Sequence, residues 1–149
     1  MHRSSAEDDI DQRESLSVAQ RQALAAIERT LGVSQLPPLA WYDVLLELER
    51  AGGELRPFEL EREILLAQYS LSRLIDRMEQ AGNVARRALK QDRRGHAIVI
   101  TPAGKNLRRR MWEVYGPAIQ AAIGDHLSAK QVETLGALLG VLLEKLAAK

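Results

Sequence analysis

Cysteine is absent from the 149-residue chain. That excludes a disulfide scaffold, a zinc–thiolate site, a cysteine nucleophile and a thiol redox sensor in one step. Long apolar runs are absent too, since none approaches the roughly 20 residues needed to span a bilayer. The first residues, MHRSSAEDDIDQRES, are polar and acidic and lack the apolar stretch of a secretory signal. The expectation is a soluble, cytoplasmic protein with no membrane partner. His2, His96 and His126 are scattered, with no H-E-x-x-H spacing. No G-x-S-x-G elbow occurs, and Gly52, Gly53 and Gly95 have no phosphate-loop pattern around them. Glu59, Glu61 and Glu63 lie two apart, which spreads them around a helix start where the dipole favours acids. We therefore expect no catalytic constellation, no metal site, no cofactor and no enzyme.

What is present suits a globular domain. Hydrophobic residues make up 46% and charged residues 28%, enough for one core in one domain. The formal net charge of +1 conceals a segregation. Segment 84–110 carries nine Lys/Arg against the single acid Asp92, a net +8, which leaves −7 for the rest. Such a segment is either a solvated charged face or the seat of a polyanion partner.

The chain reads as helices around one hairpin. Residues 1–16 have little apolar content and are expected to form a mobile tail. A helix is expected from Ser17, with Ser17 and Gln20 as a capping box, Leu24, Ile27 and Leu31 as its apolar stripe, and Gly32 as its stop. After Pro37-Pro38 a second helix spans 39–51, with Trp41, Val44, Leu45 and Leu48 facing inward. Short and longer helices follow at 57–64 and 67–80, the second with Leu71, Leu74, Ile75 and Met78 at core spacing. Val84–Leu89 and His96–Thr101 read as a β-hairpin around a charged tip, Lys90 to Gly95. Thr101 and Pro102 then cap a long helix running toward Ile123. A last helix starts at a second capping box, Ser128 and Gln131, and is apolar on more than one face.

A tight helix pair followed by a basic hairpin is a winged helix-turn-helix. The fold class is thus mainly α (α+β). The second helix of such a pair can enter a major groove, where its early exposed residues meet base edges. Here those are Gln68, Tyr69, Ser70, Ser72 and Arg73, with Arg77 one turn on toward phosphate. The hairpin supplies Lys90, Asp92, Arg93 and Arg94. A guanidinium at this tip suits the negative potential of a minor groove, and Asp92 can orient Arg94 through a charge-assisted hydrogen bond.

The run SLSRLIDRMEQAGNV (70–84), followed by RRALKQDRRGHAIVITPAGKNL (86–107), resembles the MarR family of bacterial transcriptional regulators. The carrying features are the recognition-helix pattern, the wing Asp92/Arg94, and the Ile100-Thr101-Pro102-Ala103-Gly104 opening of the next helix. The resemblance implies a homodimer with interlocked first and last helices, a recognition helix in each of two major grooves, and a wing in each flanking minor groove. It divides residues 17–149 into a winged helix-turn-helix lobe, 39–101, and long N- and C-terminal dimerisation helices, 17–36 plus 102–149. Tyr69 departs from the small polar residues common at its position. The oxidant-sensing branch is excluded, because no thiolate exists to oxidise.

Relatives of this kind often bind small aromatic or phenolic effectors, and Trp41 and Trp112 could line such a cleft, with Arg108 or Arg109 meeting a carboxylate. The competing reading is core packing for both tryptophans. The expected function is sequence-specific transcriptional regulation, as a repressor on a pseudo-palindromic operator in double-stranded DNA, released by a small effector. The alternative is a winged-helix module for protein–protein interaction without DNA specificity.

Overall fold

The computed structural model describes residues 5–64 and 68–147. The order is α1 (Ser5–Val33), α2 (Leu39–Arg50), β1 (Glu54–Leu55), α3 (Pro57–Glu63), α4 (Gln68–Gln80), β2 (Val84–Leu89), β3 (Asp92–Ile100), α5 (Pro102–Ala122), a 3-10 turn (Gly124–His126) and α6 (Ala129–Ala147). The fold is mainly helical with one small antiparallel sheet, ordered β1-β3-β2. No helix among the described residues is long and apolar enough to cross a membrane.

Several boundaries differ from the sequence reading. Helix α1 begins at Ser5, so residues 5–16 are helical rather than tail, and Ser17 is internal, not a cap. This stretch has no Pro or Gly, and Glu7 and Asp8 in its first turn complement the helix dipole. Low apolar content removes a reason to pack, not a reason to coil. The helix passes Gly32, and the left-handed residue after it is Gln35, at φ 58°. The second hairpin strand begins at Asp92, not His96. A ladder is closed by backbone groups, which charged residues supply as well as apolar ones. Within it Ala88 pairs with His96 and Leu89 with Asp92, so Arg93, Arg94 and Gly95 stand in a bulge.

The chain divides into two compact units, with boundaries inside α1 and α5. The lobe, residues 31–114, is wider than the 39–101 read from sequence. Its core takes Leu45 and Leu48 from α2, Leu60 from α3, Met78 from α4, Ile98 from β3 and Met111 from α5, all essentially inaccessible to water. Along α2 the buried residues are Leu39, Tyr42, Val44, Leu45 and Leu48. Trp41, expected inward, is half-buried, and Tyr42 takes the core position instead.

The other unit holds residues 1–30 and 115–149. The Ser128 hydroxyl accepts the Gln131 N–H at 3.1 Å, and the Gln131 side chain accepts the Ser128 N–H at 2.9 Å, so the second capping box forms as read. No residue of α6 is buried. Leu138, Leu143 and Leu146 are each at least 60% exposed. A cleft of about 360 Å³ between α1 and α6 has almost wholly apolar walls, among them Leu16, Ala23, Leu135 and Leu139.

A compact junction joins the sheet to α4 and α5. Gly82 ends α4 at φ 82°, in the left-handed region open to glycine. The Thr101 hydroxyl donates to the Gly82 carbonyl at 2.6 Å and accepts the Gly104 N–H at 3.0 Å. The Thr101 N–H donates to the Asn83 carbonyl at 3.2 Å. A Cβ on Gly104 would sit 2.1 Å from that same carbonyl oxygen, a clash with backbone that no side-chain rotation relieves. Gly104→Ala is accordingly expected to lower stability by about 1–3 kcal/mol. Urea denaturation at fixed protein concentration measures this, and an unchanged midpoint would contradict the close approach.

Candidate nucleic-acid interface

Helix α4 is amphipathic by construction. Leu71, Leu74, Ile75 and Met78 are buried at spacings of three and four. The opposite side presents Ser72, Arg73, Asp76 and Arg77 to solvent. Ser70 is half-buried. Arg73 and Arg77 are four residues apart and share a face. They line a cleft of about 330 Å³ with Ser70, Leu74, Pro38 and Trp41. Trp41 therefore borders the exposed face of α4.

Trp112 is placed elsewhere. Its ring stacks on Tyr42, with centroids 6.2 Å apart and planes at 23°. It is not among the residues lining the Trp41 cleft, so the structure does not bring the two tryptophans together there. Arg108 lies one turn before Trp112 on α5, with its Nε 2.9 Å from a carboxylate oxygen of Glu49 on α2. The contact is an ion pair, and neither of these two buried atoms makes a hydrogen bond of good geometry among the described residues. Glu49 raises the Arg108 pKa above its ordinary value, burial opposes this, and Tyr42 reinforces it. A ligand carboxylate reaching Arg108 would have to displace Glu49.

The basic hairpin is less free than its sequence suggests. Arg86 pairs with Asp76 at 2.7 Å and with Glu79 at 2.9 Å. Arg87 pairs with Glu54, and Arg109 donates to Asn106 at 3.2 Å. Three arginines of the +8 segment thus face protein carboxylates from α2, β1 and α4. The partners Glu49 and Glu54 lie far away in sequence, so no local pattern announced them. Lys90 is exposed at the hairpin turn. His96 is half-buried in a second cleft of about 210 Å³, beside Ser72, Arg86 and Pro57. The side chains of Gln68, Tyr69, Asp92, Arg93 and Arg94 lie outside the described residues, as does the connection 65–67. No group of three or more His, Asp or Glu among the described residues could hold a metal ion.

Residues 34–95 match the MarR family model. The chain is also similar to solved structures. One is a cysteine-to-serine mutant of MarR from E. coli complexed with operator DNA, at 22% identity and TM-score 0.80, covering 95% of this chain and 99% of that one. A second is a MarR family transcriptional regulator from Streptomyces coelicolor in complex with DNA, at 25% identity and TM-score 0.82, covering 97% and 91%. A third is an organohalide-sensing transcriptional regulator in its 2,4-dichlorophenol-bound form, at 18% identity and TM-score 0.82, covering 97% and 86%.

The Arg108–Glu49 pair is mostly withdrawn from water, so removing one charge leaves the other without its partner. Glu49→Gln is expected to destabilise the protein by about 1.5–3 kcal/mol. Thermal unfolding followed by circular dichroism measures it, and a loss below the error of the method would show the pair to be incidental.

Proposed function

We propose, from the match of residues 34–95 to the MarR family model, that the chain is a member of that family and a sequence-specific, DNA-binding transcriptional regulator. It acts in the cytoplasm as a repressor, binding a pseudo-palindromic operator as a homodimer, and a small aromatic effector releases it. The carrying observation is the solvent face of α4, where Ser72, Arg73 and Arg77 offer the donors that base edges and phosphates accept. These polar residues favour DNA over the protein–protein module, which would call for an apolar face there. Binding, not catalysis, is the work such a face can do.

The dimer follows from α6. Leu138, Val141, Leu142, Leu143 and Leu146 are about half exposed or more in one chain. Burying a leucine side chain contributes about 1.5–3 kcal/mol, so a second copy covering several of them gains enough to associate. Two copies place two α4 helices on one DNA face, with half-sites about 10 bp apart or a multiple of that. The effector reading rests on the Trp41 cleft, where an indole face and the Arg73 and Arg77 guanidinia suit an aromatic anion. An occupant there competes with DNA for the same two arginines. It acts only through different affinity for the free and DNA-bound forms.

Selection from a random duplex pool is expected to enrich an inverted repeat. Its affinity should far exceed that for random DNA and fall steeply with salt, as counterion release requires. Absence of any enriched sequence would refute the regulator reading. On the selected duplex, Arg73→Ala should reduce the salt slope by about one per protomer, whereas Arg87→Ala, already paired with Glu54, should leave it nearly unchanged. Arg94→Ala should weaken operator binding, and full affinity in that variant would dismiss the minor-groove role. Leu142→Glu with Leu146→Glu should yield a monomer by sedimentation, and a persistent dimer would move the interface away from α6.

A further inference from the structure

We infer that Arg86, Asp76 and Glu79 form a clamp that fixes the hairpin against α4, and so sets discrimination at the hairpin's side of the operator without touching DNA. The inference rests on the DNA-binding reading above. Glu79 stands near the end of α4, and Arg86 is the third residue of β2. One carboxylate oxygen of Glu79 accepts the Arg86 backbone N–H at 3.0 Å, and the other meets its Nη1 at 2.9 Å. Nη2 reaches Asp76 at 2.7 Å. Asp76 and Glu79 are three residues apart and therefore neighbours on the helix surface. A planar guanidinium can span two such carboxylates, which the compact ammonium of lysine cannot do with the same geometry.

Ile98 packs the hairpin into the core, and one hydrogen-bonded attachment to α4 lies at the hairpin's root, where Gly82 and Asn83 meet Thr101. Apolar packing is non-directional, so the hairpin's angle rests on its hydrogen bonds, and a single hydrogen-bonded attachment leaves it free to tilt. The clamp lies further along the strand and removes that freedom. A six-residue strand extends about 20 Å, so a 10° swing at its root moves the tip by about 3 Å. That is close to the roughly 3.4 Å rise of one base pair. Loss of the clamp would therefore shift the hairpin tip by about one base step. The three side chains are partly exposed. Such pairs contribute little to stability, so the effect belongs in DNA discrimination.

The test turns on a sign. Asp76→Asn with Glu79→Gln removes two negative charges from α4 itself. Charge alone predicts tighter binding to the selected operator and to random duplex alike, with their ratio unchanged. The clamp predicts a ratio of operator to random affinity lower by about tenfold, comparable to the loss of one base pair of readout. That loss should fall on base positions at the hairpin's side when the operator is substituted one position at a time. Fluorescence anisotropy supplies the ratio, and circular dichroism confirms that the double variant is folded. Should it unfold, Glu79→Gln decides on the same ratio, because it keeps an acceptor for the Arg86 N–H. A ratio that holds or rises overturns the clamp. Wild-type protein with no preferred duplex overturns the DNA reading, and the clamp falls with it.

Discussion

The carbonyl of Asn83 is the point on which the lobe is assembled. It accepts the Thr101 N–H and leaves no room for a Cβ at Gly104. Through it the end of α4, the residue that follows β3 and the first turn of α5 are brought into one cluster. Three elements with different directions are thereby fixed at one place. The solvent face of α4 and the root of the hairpin cannot be oriented independently, because α4 ends and the hairpin begins at this junction. A glycine at 104 and a hydroxyl at 101 are therefore structural demands on the sequence and not merely helix-start preferences.

Electrostatics then divides the arginines of the lobe into classes. Arg86, Arg87 and Arg108 are held by Asp76 and Glu79, by Glu54 and by Glu49. They hold protein elements to one another. Arg73 and Arg77, from the middle of α4, stand at an open cleft where an external anion can reach them. Counting charge along the chain cannot separate these classes, because a counter-ion is defined by distance in space. The summed charge of a segment thus overstates what a polyanion would meet.

Much of the lobe was legible beforehand. The spacing of Leu71, Leu74, Ile75 and Met78 gave α4 and its buried side, and Thr101 with Pro102 marked the start of α5. The Ser128–Gln131 box placed the start of α6. The failures share a cause. Residues 5–16 have few apolar side chains and so suggest a tail, yet helix formation needs only compatible backbone and favourable charge at the end. The strand start at Asp92 was missed for a like reason, since ladder hydrogen bonds ignore side-chain polarity. Trp41 and Tyr42 exchanged roles because adjacent helical positions differ by about 100°, and a small rotation of the helix decides which ring enters the core.

The sequence by itself determined the elements whose cause is local: helices set by apolar period and caps, a hairpin set by its turn, and a last helix with more apolar surface than one chain covers. It also carries the pattern by which α4 and the hairpin resemble the MarR family. Only the tertiary structure decided which arginines remain open, which aromatic fills the core, and that Trp41 and Trp112 lie against different partners. Those outcomes depend on groups from α2, β1, α4 and α5 that meet only once the chain has folded. Local rules fix what each segment can become, while the distances between segments fix what their side chains can do.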